Sequence, residues 1–234
     1  MIAELQELFA VLPVETVKKQ YQIEIVENNQ LNKPTENSRK LTFRHLVELY
    51  GMSPAVPLFR VMRQLWNVDA KAQPVLALQL ALVRDPLLRM SIPLITELRV
   101  GESLVREQVE ALLKAPDPDR YSPASLKSFA QNINGTWTQA GFLQGRSKKT
   151  RCEPNVFPIN IAFALFLAHL EGASGQRLFS NHWVQLFGLS EHQVDELAIT
   201  ATHQGLIDYK RSGEVVEVRF HDYLTHEEED WLHE

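Results

Sequence analysis

Residues 122–151 read SPASLKSFAQNINGTWTQAGFLQGRSKKTR, and this stretch decides the fold. Ser122 followed by Pro123 is an N-cap with proline at the first helical position. Leu126, Phe129, Ile133 and Trp137 recur at three- and four-residue spacing, which predicts a helix with one buried face. Gly141 ends it, Phe142-Leu143 begins a short strand, and Gly145 to Arg151 is a loop carrying Arg146, Lys148, Lys149 and Arg151. A helix leading into a basic loop is the chain order of a winged helix-turn-helix. In that arrangement one helix enters the major groove, and the wing reaches a flanking phosphate or the minor groove.

Charge is distributed to match. The formal net charge is −5, yet residues 1–121 balance, residues 122–152 carry +5 with no acid, and residues 153–234 carry −10. Such a chain can present a positive face to a phosphate backbone despite its acidic total. A basic loop can also be a solvated turn with no partner. The absence of acids and the helix before it favour phosphate contact. Lys127, Gln131 and Asn134 lie opposite or oblique to the Leu126-Phe129-Ile133 face and are the candidates for groove contacts, since Gln and Asn pair with adenine.

Working outward, the N-terminal half reads as helices. Leu5, Leu8, Phe9 and Leu12 form an apolar stripe ended by Pro13, and Val14, Val17 and Tyr21 suggest a short helix. Asn28 to Ser38 reads as a turn-rich link and Leu41 to Tyr50 as a helix stopped by Gly51. Val56 to Trp66 fits between prolines, Val75 to Arg84 is apolar nearly all round, Pro86 and Pro93 mark helix starts, and Ser103 to Leu113 is amphipathic. Ala115-Pro116-Asp117-Pro118-Asp119 is the predicted domain boundary, because prolines forbid helix and acids favour solvent.

Beyond the basic loop a second winged-helix order appears. Ile159 to His169 and Ser180 to Phe187 read as helices. A third begins at a capping box of Ser190 and Gln193 and runs to Gln204, and a hairpin follows over Leu206 to Phe220. Its candidate recognition helix carries Glu191, Asp195 and Glu196 and no lysine or arginine, which suits a protein partner better than a phosphate, even if Lys210 and Arg211 graze DNA. The expected architecture is mainly α: a helical bundle over 1–115, a first helix-turn-helix and wing over 120–156, a second winged-helix-like module over 157–225, and an acidic, solvated tail over 226–234.

Chemistry is sparse. One cysteine, Cys152, excludes an intramolecular disulfide or a cysteine-rich zinc module. No HExxH, Walker loop, GxGxxG or GxSxG motif occurs. His221, Asp222 and His226 are the nearest approach to a metal cluster and read better as exposed polar residues. Trp66, Trp137 and Trp183 read as core anchors. No catalytic residue, cofactor or metal ligand is expected. The N-terminus lacks a signal-peptide n-region and no apolar run is long enough to span a bilayer, so a cytoplasmic protein is expected.

Three stretches give the chain a family resemblance. Val26 to Lys40, with Glu27-Asn28 and Leu31 before Lys33, Thr35 and Ser38-Arg39, resembles the N-terminal segment of the BrxA family of BREX phage-defence systems. Leu76 to Leu98 is similar to that family's apolar central helices. Ser122 to Leu143, ending in Ala140-Gly141-Phe142-Leu143, resembles its later helix. The resemblance covers most of residues 20–145. It implies a helical N-terminal bundle, a winged-helix region, and double-stranded DNA binding without catalysis, beside methyltransferase, ATPase and phosphatase-like components. Arg39, Lys40 and Arg44 match a basic segment of the family and are either further phosphate contacts or helix-surface charges paired with Glu36 and Glu48. The alternatives to a DNA-binding defence component are an adaptor that binds defence-system proteins and a winged-helix transcriptional regulator.

Overall fold

The computed structural model describes residues 1–233, with side chains through residue 230. The chain is mainly helical with two small antiparallel sheets. Its first layer comprises α1 (Ile2–Val11), α2 (Lys18–Gln22) continued by a π-helical turn (Ile23–Glu27), α3 (Glu36–Tyr50), α4 (Pro57–Leu65) and α5 (Gln73–Arg84). Helix α3 starts earlier than the apolar pattern suggests. Thr35 Oγ1 accepts from the Ser38 N–H, and Ser38 Oγ accepts from the Thr35 N–H, both at 3.1 Å, so two polar residues begin the helix.

Helix α5 is buried almost throughout, as its all-round apolar sequence requires, and it is the post on which the bundle is built. Phe9, Tyr21, Phe59 and Trp66 pack edge to face beside it. Arg63 is only 1% exposed there. Its guanidinium lies 4.3 Å from the Phe9 ring centroid and donates to the carbonyls of Phe9 (3.1 Å) and Leu12 (2.6 Å), closing the end of α1.

Two short proline-started helices follow, α6 (Pro86–Met90) and α7 (Ile92–Thr96), then strand β1 (Ser103–Leu104) and α8 (Arg106–Lys114). Ser103 and Leu104 therefore belong to a strand and not to the helix expected there. Next come α9 (Pro123–Gln139), β2 (Leu143–Gln144) and β3 (Lys149–Arg151). The sheet order is β1-β3-β2, with Ser103 opposite Thr150 and Leu143 opposite Arg151.

This pairing crosses the expected domain boundary. The Ala115–Asp119 segment joins α8 to α9, which pack on each other, while β1 before it pairs with β3 after it. The prolines make a surface turn inside one packed unit. The remaining elements are α10 (Pro158–Leu170), α11 (Gln176–Phe179), α12 (His182–Gln185), α13 (Glu191–His203), the hairpin β4 (Asp208–Ser212) and β5 (Val215–Arg219), and α14 (His226–His233). Helix α10 docks on α5 through buried amides. Gln79 Nε2 donates to the Asn160 carbonyl at 2.9 Å, and Asn160 Nδ2 donates to the Ala72 carbonyl at 3.1 Å. One contiguous apolar core thus runs from Leu5 to Tyr223.

In the acidic tail Glu227, Glu229 and Asp230 are exposed, as expected of a solvated end. The tail is nevertheless helical from His226 and anchored at one point, because Glu228, 16% exposed, is bound by both terminal nitrogens of Arg60 on α4. Arg60 Nη2 also donates to the Tyr223 carbonyl at 3.2 Å.

Candidate nucleic-acid interface

Helix α9 is set by its cap and its core. Ser122 Oγ accepts from the Ser125 N–H at 3.2 Å, and Leu126, Ala130, Ile133 and Trp137 are buried. Trp137 Nε1 donates to Ser91 Oγ at 2.7 Å and its ring stacks edge-on against Phe142, which fixes the rotation of the helix about its axis. The face turned outward carries Lys127, Ser128, Gln131, Asn132 and Gln139, all exposed and none acidic.

The β2–β3 hairpin follows directly. Its turn needs glycine at 145, where φ is +98° and a Cβ would fall 2.2 Å from the Lys148 carbonyl oxygen. Lys149 Nζ donates to the Gly145 carbonyl at 2.7 Å, holding the turn from within. Arg146 and Lys148 at the tip are exposed. Among the described residues, Lys127, Arg146, Lys148 and Lys149 make no ion pair.

Two expected contacts turn inward. Arg151 is 7% exposed, and its guanidinium donates to the carbonyls of Ile95 (3.1 Å), Phe142 (3.3 Å) and Cys152, with the Phe142 ring 5.3 Å away. It cannot reach a phosphate while these bonds stand, and burial pulls its pKa below the usual arginine value. It is instead the clamp that fastens β3 to the end of α7. Asn134 is 6% exposed, and its Oδ1 has no partner among the described residues, so it is not a groove-reading side chain. Adding Ala130 to the apolar stripe rotates the inferred core face and would have shown this.

The segment at α3 resolves toward paired surface charges. Lys40 Nζ lies 2.6 Å from Glu36 and Arg44 Nε 3.7 Å from Glu48, while Arg39 Nη1 donates to the Glu27 carbonyl at 3.4 Å. In the second module the hairpin cations are likewise engaged. Arg211 binds Glu191 and Asp195 at 3.0 Å each and the Tyr209 hydroxyl at 2.8 Å, and Lys210 lies 3.6 Å from Asp208. The Arg211 guanidinium holds the Glu191 carboxyl below the ordinary carboxylate range.

Cys152 donates its thiol to the Gly141 carbonyl at 3.1 Å, and burial pushes its pKa up, opposite to the direction an activated nucleophile needs. Trp66, Trp137 and Trp183 are buried anchors, Trp183 Nε1 donating to Glu171 at 2.9 Å. Among the described residues no group of three or more His, Cys, Asp or Glu side chains gathers to hold a metal, and no helix is long and apolar enough to cross a membrane.

No protein-family model, curated protein or solved structure matches the chain.

Proposed function

We propose that this protein is a non-enzymatic, double-stranded DNA-binding component of a phage-defence system of the BREX type, gripping duplex through the unit that ends in α9 and the β2–β3 hairpin. The observation that carries the reading is the acid-free run 122–152. It folds into a capped helix with an acid-free polar face that carries Lys127, and a hairpin tip whose Arg146 and Lys148 are exposed and unpaired among the described residues. The order helix, β1, α8, α9, β2, β3 is that of a winged helix-turn-helix, which supports α9 as the groove helix and the hairpin as the wing. Lys127 and Gln131 lie toward the N-terminal half of α9, the half that reaches base edges in that geometry. The resemblance to the BrxA family supplies the defence setting.

The test is fluorescence polarisation with a random-sequence duplex across a salt series. Each phosphate contact contributes about 0.9 to the slope of log K against log salt, so replacing Arg146 and Lys148 by alanine flattens it by up to about two units. Lys149 and Arg151 stay untouched, since their loss would disturb the hairpin itself. No binding of the natural protein at low salt overturns the proposal.

A second reading concerns α13. Its outward face carries Ile199, 47% exposed, beside the exposed Glu196 and Thr200, and the nearby hairpin cations are spent on acids of the same module. This favours a protein partner for residues 157–225, in keeping with an adaptor role beside other defence-system proteins.

A further inference from the structure

A cleft of about 580 Å³ separates the second half of α9 from α3 and the α5–α6 corner. That volume lies within the range of small-molecule sites, which join an apolar body to a few placed polar groups. The floor is apolar, built from Leu49, Ala77, Leu78, Phe129 and Ile133. The α9 wall presents the carboxamides of Gln131, Asn132 and Gln139, and His45 lines the α3 side. None of the three carboxamides makes a side-chain hydrogen bond among the described residues.

The charged groups of the lining are paired within the fold, the Met1 ammonium lying 3.5 Å from the Glu4 carboxylate. Arg84 donates from Nε to the Glu48 carbonyl (3.0 Å) and from Nη2 to the Val47 carbonyl (3.3 Å), capping the end of α3. Asp85 Oδ1 accepts from the N–H groups of Leu87 and Leu88, and the Glu48 carboxylate lies 3.7 Å from Arg44. What stays available is neutral donor and acceptor pairs over an apolar floor.

Gly135 is a second, independent observation. It lies within α9, where glycine is unfavourable relative to alanine, and it lines the cleft. A Cβ there would meet nothing within 4 Å, so no packing in the chain demands glycine at that position. The open space above it lets a flat ligand approach the helix backbone.

We propose that the cleft binds an uncharged planar heteroaromatic molecule of the nucleoside class. Its ring lies on the apolar floor, and its edge is read by Asn132 and Gln139, since a carboxamide matches an adjacent donor and acceptor on a base. The site stands apart from Arg146, Lys148 and Lys149, and it holds whether or not the hairpin grips DNA.

The experiment is calorimetric titration of the full chain with adenosine, guanosine, cytidine and uridine in turn. Saturable binding of at least one, with Kd of about 1 mM or tighter, is expected. Gly135→Phe fills the cleft from an open position and weakens that binding at least about tenfold, as does the exposed pair Asn132→Ala with Gln139→Ala. Thermal melts of both variants stay at or above the natural value, which separates loss of the site from loss of the fold. Absence of binding by all four nucleosides overturns the proposal, and so does binding unchanged in both variants. Tighter binding of a nucleoside 5′-monophosphate than of its nucleoside overturns the neutral-ligand assignment.

Discussion

Arg146 and Arg151 are five residues apart in one basic run, and they do different work. Arg146 ends at the hairpin tip in solvent, whereas Arg151 closes over Phe142 and spends its guanidinium on backbone carbonyls. Removing a charged donor from buried acceptors costs more than trimming a solvated side chain. Arg151→Ala is therefore expected to lose about 2–3 kcal/mol in urea unfolding, while Arg146→Ala stays within about 0.5 kcal/mol of the natural protein. Equal effects of the two would remove the clamp role. In the sequence both are cations of one loop, and the difference depends on which residue pairs across from the buried Leu143. A two- or three-residue strand is too short for alternation to fix its register. Asn134 misled for a related reason: it sits at the margin of the buried stripe, where a small rotation of the helix decides between core and solvent.

At the level of elements, α14 shows how a run of acids becomes structured. Burial by itself would raise the Glu228 carboxyl, but the Arg60 guanidinium and the Thr225 N–H outweigh it and hold the group below the ordinary carboxylate range. A depressed folded-state pKa stabilises fully above the unfolded value, near about 4.3, and that contribution is lost as pH falls through the folded value. Glu228→Gln is expected to cost about 1 kcal/mol at neutral pH, with the gap to the natural protein closing below about pH 4. Urea unfolding of both proteins across pH 7 to 3 checks this; a gap that persists at pH 3 would show that the pair does not anchor the helix electrostatically. Elements that carry their own signals were legible beforehand. The Ser190–Gln193 capping box forms, with Gln193 Oε1 accepting from the Ser190 N–H at 2.9 Å, and α9 starts at Pro123 behind its Ser122 cap. The α14 anchor was not legible, because its partner lies 168 residues away.

For the whole molecule, the consequence of β1 pairing with β3 and of α10 docking on α5 is that no cut near residue 117 leaves two complete cores. A fragment of residues 120–234 would lack both β1 and the α5 surface that covers α10. It is expected to show no cooperative transition, while the full chain unfolds with coincident far-UV circular dichroism and tryptophan fluorescence. A fragment that melts cooperatively would restore a domain boundary at the proline-rich link. The sequence by itself determined the helical class, most helix starts and stops, and the concentration of positive charge in residues 122–152. Caps, apolar periodicity and charge are local properties, written within a few turns of one another. Tertiary structure alone decided that Ser103-Leu104 is a strand, that Arg63 and Arg151 are buried clamps, that the acidic end is anchored, and that a cleft opens beside Gly135. Each of these depends on a partner distant in sequence, and no local pattern encodes which distant group will arrive to complete a hydrogen bond or leave a space.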